Sequence, residues 1–143
     1  MAPSDAVQIS SSALDAIARH GEETYPHECC GALIEVGGEI VEAWPLPNTT
    51  QEGARRRFLV SPSDYRAAEA RADAVRGSLA GFYHSHPDHP ARPSQHDLEH
   101  AWPNLSYLIV SVAAGAAGEV TCWRLRDDRS SFVQKDLQCP TRS

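Results

Sequence analysis

Apolar and polar positions alternate in short periodic segments along the chain. Leu14, Ile17 and Ala18 recur at helical spacing beside Ser12 and Asp15, a pair spaced like a capping box, and Gly21 is expected to end this first helix. Residues 30–36 and 39–46 read as strands around Gly37-Gly38, which predicts a hairpin. Residues 47–56 are polar, carry Pro47 and Gly53, and read as a loop; Arg57 to Val60 reads as a short strand. Ser61-Pro62-Ser63-Asp64 starts a helix with a cap, a proline at the first helical position and an acid at the third, and the helix is expected to run to Arg76 before Gly77. Leu79 to His84 predicts a strand, followed by a loop with Pro87, Pro90 and Pro93. Ser94 opens another helix, expected to end near Trp102-Pro103. Leu105 to Val112 is the most apolar run and predicts a central strand; Val120 to Leu125 and Ser131 to Leu137 complete the sheet.

Strands and helices alternating over short connections give an α/β (α+β) class. The 143 residues suit one domain spanning 1–143, with its core at about residues 8–137, and 41% apolar against 22% charged residues is a globular mix. Thirteen Lys and Arg against nineteen Asp and Glu leave a net charge of −6, which argues against general binding to a nucleic-acid backbone. No apolar run approaches the roughly 20 residues of a membrane span, and residues 1–5 lack a secretory pattern. The four cysteines, Cys29, Cys30, Cys122 and Cys139, lack CxxC spacing, so a reducing, cytoplasmic setting is expected. Cys29 and Cys30 read as small buried residues more than as reactive thiols, and Trp44, Trp102 and Trp123 as core. The Arg55-Arg56-Arg57 triplet reads as a solvated face.

Histidine changes the picture. Of seven, five fall between His84 and His100. His84 and His86 stand two apart at a strand end, so both imidazoles share one face and are placed to grip one ion. Asp97, in the first turn of the next helix, could add a third ligand, and two histidines, a carboxylate and an open position describe catalytic zinc. Each feature also has a plain reading: a strand-end histidine pair can be polar surface, and Ser94 with Asp97 is also an ordinary helix start. The joint spacing favours the metal. His84-x-His86-x-Asp88-His89 also fits a string of the metallo-β-lactamase superfamily, but the 54 residues after His89 are too few for the rest of that fold. The roles of Asp88 and His89 stay open.

The string His-x-His-x7-Ser-x2-Asp, realised as His84, His86, Ser94 and Asp97, resembles the JAMM (MPN-plus, JAB domain) zinc metallopeptidases, in their small bacterial or archaeal form. The family's upstream Glu before a Cys-Gly strand start is matched by Glu28 in Pro26-His27-Glu28-Cys29-Cys30-Gly31. The resemblance implies a mixed, mostly antiparallel sheet flanked by helices. It implies one Zn2+ per chain on His84, His86 and Asp97, with water fourth, acidified from a pKa of ~16 to about 7. Glu28 would be the general base and Ser94 the oxyanion donor. The expected activity is hydrolysis of the peptide or isopeptide bond after the C-terminal Gly-Gly of a ubiquitin-like or sulfur-carrier protein. Such a tail, free of side chains, suits a narrow groove. Alternatives are a non-catalytic module that binds ubiquitin-like proteins, and a cell-wall or phage-tail-associated peptidase. A homodimer is left open.

Overall fold

The computed structural model describes residues 6–47 and 60–139. In chain order these form β1 (Val7–Ile9), α1 (Ser11–Thr24), β2 (Cys30–Val36), β3 (Glu39–Leu46), α2 (Pro62–Ala74) and β4 (Ser78–Pro87). There follow α3 (Gln95–Glu99), β5 (Ser106–Ala113), β6 (Ala116–Leu125), β7 (Phe132–Lys135) and β8 (Leu137–Gln138). The strands make one sheet in the order β7-β6-β5-β4-β2-β3-β1-β8. The sheet is mixed: β2–β3, β2–β4, β5–β6 and β6–β7 are antiparallel, and β4–β5, β1–β3 and β1–β8 parallel. Among the described residues, no helix is long and apolar enough to cross a membrane.

Side chains alternate across this sheet and build two cores. On one face Ala32, Ile34 and Phe82 bury Ala68 and Ala72 of α2; on the other Leu33, Tyr83, Leu108 and Val110 bury Ala13 and Ile17 of α1. His84 and His86 continue the parity of Phe82, so β4 carries them towards the α2 face and the short helix α3.

The hairpin turn lies at Gly37-Gly38, both with positive φ (62° and 86°), the conformation such a turn needs. Ser61 and Asp64 form a reciprocal capping box behind Pro62, as the spacing predicts. The first helix departs from expectation. Its cap is Ser10, whose hydroxyl accepts from the Ala13 N–H (3.1 Å), and the Ser12–Asp15 pair is not the capping box. Gly21 does not end it; α1 runs on to Thr24, and an added Cβ at Gly21 would stand 3.0 Å from Val112. The glycine is there for helix–sheet approach.

Other boundaries move with tertiary packing. Helix α2 ends at Ala74, two residues early. Helix α3 stops at Glu99, because Ala101 is buried and Trp102 turns to pack on Tyr65, ring centres 4.7 Å apart. Trp44, Trp102 and Trp123 are half-buried, with Trp44 and Trp102 packed against the α2-side core. The expected strand at 131–137 splits at Asp136 into β7 and β8, on opposite edges of the sheet. Of Arg57 to Val60 only Val60 lies within the described residues, outside any strand; most of the 47–56 loop and the Arg55–Arg57 triplet lie outside them.

Candidate metal centre and cleft

Neighbouring strands fix where each group stands. Cys30 on β2 pairs with His84 on β4. One step further, the Cys29 N–H donates to the Ser85 hydroxyl (2.9 Å) and the Ser85 N–H to the Cys29 carbonyl (3.2 Å). Continuing this antiparallel register sets Glu28 beside His86, on the same face. Glu28 is 6% exposed, His84 1% and His86 8%.

After His86 the chain turns through a loop tied down from three sides. The Asp88 N–H donates to the Val112 carbonyl (2.7 Å), the Ser111 hydroxyl to the His89 carbonyl (2.7 Å) and the Thr121 hydroxyl to the Ala91 carbonyl (2.6 Å). The loop delivers Ser94 to the start of α3. There the Asp97 N–H donates to the Ser94 hydroxyl oxygen (3.0 Å), and the Ser94 N–H to Asp97 Oδ2 (2.8 Å). Ser94 and Asp97 are therefore a helix cap, and the cap also aims the carboxylate at the histidines.

Three donor atoms converge. His84 Nε2 and His86 Nε2 are 3.1 Å apart, and Asp97 Oδ2 is 3.3 Å and 3.2 Å from them. A tetrahedral ion with bonds of about 2.0–2.1 Å spaces its ligands about 3.3–3.4 Å apart, so the triangle fits such an ion. Its chemistry fits too. The Pro90 carbonyl takes a hydrogen bond from His86 Nδ1 (2.9 Å), which puts the proton of the neutral ring on Nδ1 and leaves the Nε2 lone pair facing the triangle. His84, His86 and Asp97 are also the only such metal-capable group found among the described residues.

Burial and charge pull on these groups in opposite directions. Burial opposes a charge on His86, but hydrogen bonds to Asp97 and Pro90 and the nearby Asp97 and Glu28 carboxylates outweigh it and raise its pKa above ordinary imidazole. Burial would likewise raise the Asp97 pKa, yet the His84 charge and bonds from both histidines and the Ser94 N–H hold it well below the usual carboxylate range. The cysteines beside the site are different. Burial pushes Cys29 up to about 11 and Cys30 to about 12, so both are protonated at neutral pH and poor ligands or nucleophiles.

Beside the triangle lies a cleft of about 320 Å³ lined by Glu28, His86, His89, Pro90, Arg92 and Ser94. The structure thus brings Glu28 and Ser94 into one cleft with His86. Asp88 points elsewhere: its carboxylate accepts from the Tyr25 hydroxyl (2.7 Å) and the Ala114 N–H (2.8 Å). Arg92 and the Pro90 carbonyl escape a motif-based reading. The available signal was an arginine set between prolines on the loop that joins the histidine strand to Asp97.

A mixed sheet with a helix on each face, carrying a His-His-Asp triangle at one strand end, defines a small MPN/JAB-type protein with a candidate metal centre. The chain belongs to the prokaryotic homologs of the JAB domain, whose family model matches residues 10–126. It is 30% identical over 115 residues to a desampylase of Haloferax volcanii, a match covering 76% of this chain and 82% of that enzyme. It is 36% identical over 84 residues to tail tip assembly protein K of Escherichia phage N15, covering 59% of this chain but 32% of the phage protein's length. A solution structure from Salinibacter ruber, 40% identical, has the same fold with a TM-score of 0.72, over 93% of this chain and 91% of that one.

Proposed function

We propose that this protein is a zinc-dependent peptidase or isopeptidase that hydrolyses the bond after the C-terminal Gly-Gly of a ubiquitin-like or sulfur-carrier protein. The observation that carries this reading is the placement of Glu28 and Ser94 in one cleft beside the His84–His86–Asp97 triangle. The desampylase likeness supports an isopeptidase of ubiquitin-like proteins.

His84, His86 and Asp97 would hold the ion, which when bound supplies a Lewis acid that acidifies water and polarises a carbonyl. Glu28 takes the proton of the attacking water and returns it to the leaving amine. The Ser94 oxygen accepts the Asp97 N–H, which leaves its own proton to donate to the developing oxyanion. The Pro90 carbonyl holds the His86 ring in the orientation that ligation needs.

The test is intact-mass analysis of ubiquitin-like carriers extended beyond Gly-Gly, with wild type, Glu28→Gln and chelator-treated protein side by side. The expected result is loss of the residues after Gly-Gly in the wild type alone. About one zinc per chain is expected in wild type and Glu28→Gln, and none in His86→Ala. Metal-loaded wild type that cleaves no such carrier overturns the reading. The phage-protein likeness favours a second reading, a tail-associated peptidase of cell-wall peptides; a peptidoglycan stem peptide in the same assay separates the two.

A further inference from the structure

Arg92 lines the same cleft as Glu28, His86 and Ser94 and is exposed there. Its guanidinium makes no hydrogen bond or ion pair with any described residue. The backbone that carries it is nevertheless fixed. Ala91 is 1% exposed and its carbonyl accepts from Thr121 (2.6 Å), the Arg92 N–H donates to the Pro90 carbonyl (2.8 Å), and Pro93 follows.

The chain has nineteen carboxylate side chains for thirteen cations. An exposed guanidinium on a braced loop, with no acceptor among the described residues, is available to an anion from outside the chain. Its planar fork of donors matches a carboxylate, and peptides offer carboxylates. We infer that Arg92 is a specificity residue that binds a carboxylate of the substrate beside the scissile bond. This rests on the peptidase reading above. The carboxylate has two sources: the α-carboxylate of a single residue that leaves, or an acidic side chain next to Gly-Gly.

The probes are three acetylated peptides of one sequence through Gly-Gly, extended by alanine as the free acid, by alanine amide, or by aspartic acid amide. Turnover by wild type, Arg92→Ala and Arg92→Lys is read by mass spectrometry as kcat/KM. Binding to Glu28→Gln, with and without Arg92→Ala, is read by calorimetry and needs no turnover. Wild type is expected to favour a carboxylate peptide over alanine amide by about tenfold or more. That ratio falls to near one in Arg92→Ala and partly returns in Arg92→Lys. The preferred acid names the source of the carboxylate.

A ratio that Arg92→Ala does not move, or equal or absent binding of acid and amide peptides, overturns the inference. Cleavage without discrimination sinks Arg92 and spares the peptidase. Arg92-dependent binding with no cleavage by metal-loaded wild type does the reverse.

Discussion

At the scale of single residues, Asp88 joins more of the site than its neighbours do. It is a non-glycine residue with φ at 59°, a conformation aspartate tolerates better than most. One carboxylate oxygen accepts from the Ala114 N–H and the other from the Tyr25 hydroxyl, three residues before Glu28. The ligand loop, the β5–β6 turn and the segment carrying the proposed base thus meet on one side chain. Tyr25→Phe keeps the half-buried ring and removes its hydroxyl, so its stability cost should be about 0.5–1.5 kcal/mol. If the bond positions Glu28, kcat should fall several-fold while KM and zinc content stay put; an unchanged kcat would show the clasp to be irrelevant to the base. Asp88→Ala, which releases both donors, should cost more by both measures. The convergence of His84, His86 and Asp97 was legible from sequence because they lie within fourteen positions, and strand and helix periods say how they face. Arg92 was not, because a loop has no period from which to read where a side chain points.

At the scale of elements, β2 and β4 are locked by a glycine. Gly31 pairs with Tyr83, and a Cβ added there would fall on the tyrosine ring, which is fully buried. Gly31→Ala should destabilise by about 1–3 kcal/mol, seen as a lower urea midpoint. An undisturbed midpoint would mean that the ring has room to move. The Tyr83 hydroxyl in turn meets His20 Nδ1 at 2.7 Å, tying α1 to the strand that carries His84. Burial lowers the His20 pKa, partly countered by Glu23. With fewer protons bound in the folded than in the unfolded state, the sign is fixed: this group's contribution is complete above the unfolded pKa of about 6.5 and is lost as pH falls through it towards the lowered folded value. His20→Gln should flatten the pH dependence of the melting temperature across that range, and an identical slope in the variant would remove His20 as its cause. Elements with strong local signals, the Gly37-Gly38 hairpin and the Ser61–Asp64 cap, were readable in the sequence. The course of α1 was not, since Gly21 looks like a stop until β5 is seen packed against it.

At the scale of the whole molecule, the two edges of the sheet are joined at one corner. Strands β7 and β8 sit at opposite ends of the order, yet only Asp136 separates them, and three consecutive Cα atoms span at most about 7 Å. The two edges must therefore meet, and the Asp136 carbonyl accepts the Val7 N–H (2.7 Å) where they do. Strands of two and three residues carry too little pattern to announce this corner. It matters for metal linkage, because a scaffold knit by its own backbone ladders does not need the ion to fold. His84 and His86 are held by the β2–β4–β5 ladder, Ser94 caps α3, and the ion would add one crosslink between two placed segments. Chelation should therefore lower the melting temperature without unfolding the protein at room temperature. The shift should grow with free zinc as RT ln(1 + [L]/Kd), about 2.7 kcal/mol at a hundred times Kd. Hydrogen exchange should quicken on chelation in residues 88–97 and stay slow in the ladder between β2 and β4. His86→Ala should melt at the same temperature with and without chelator. A wild type that loses its whole sheet when stripped of metal would show that the ion organises the fold, and that the strand ladders do not stand alone.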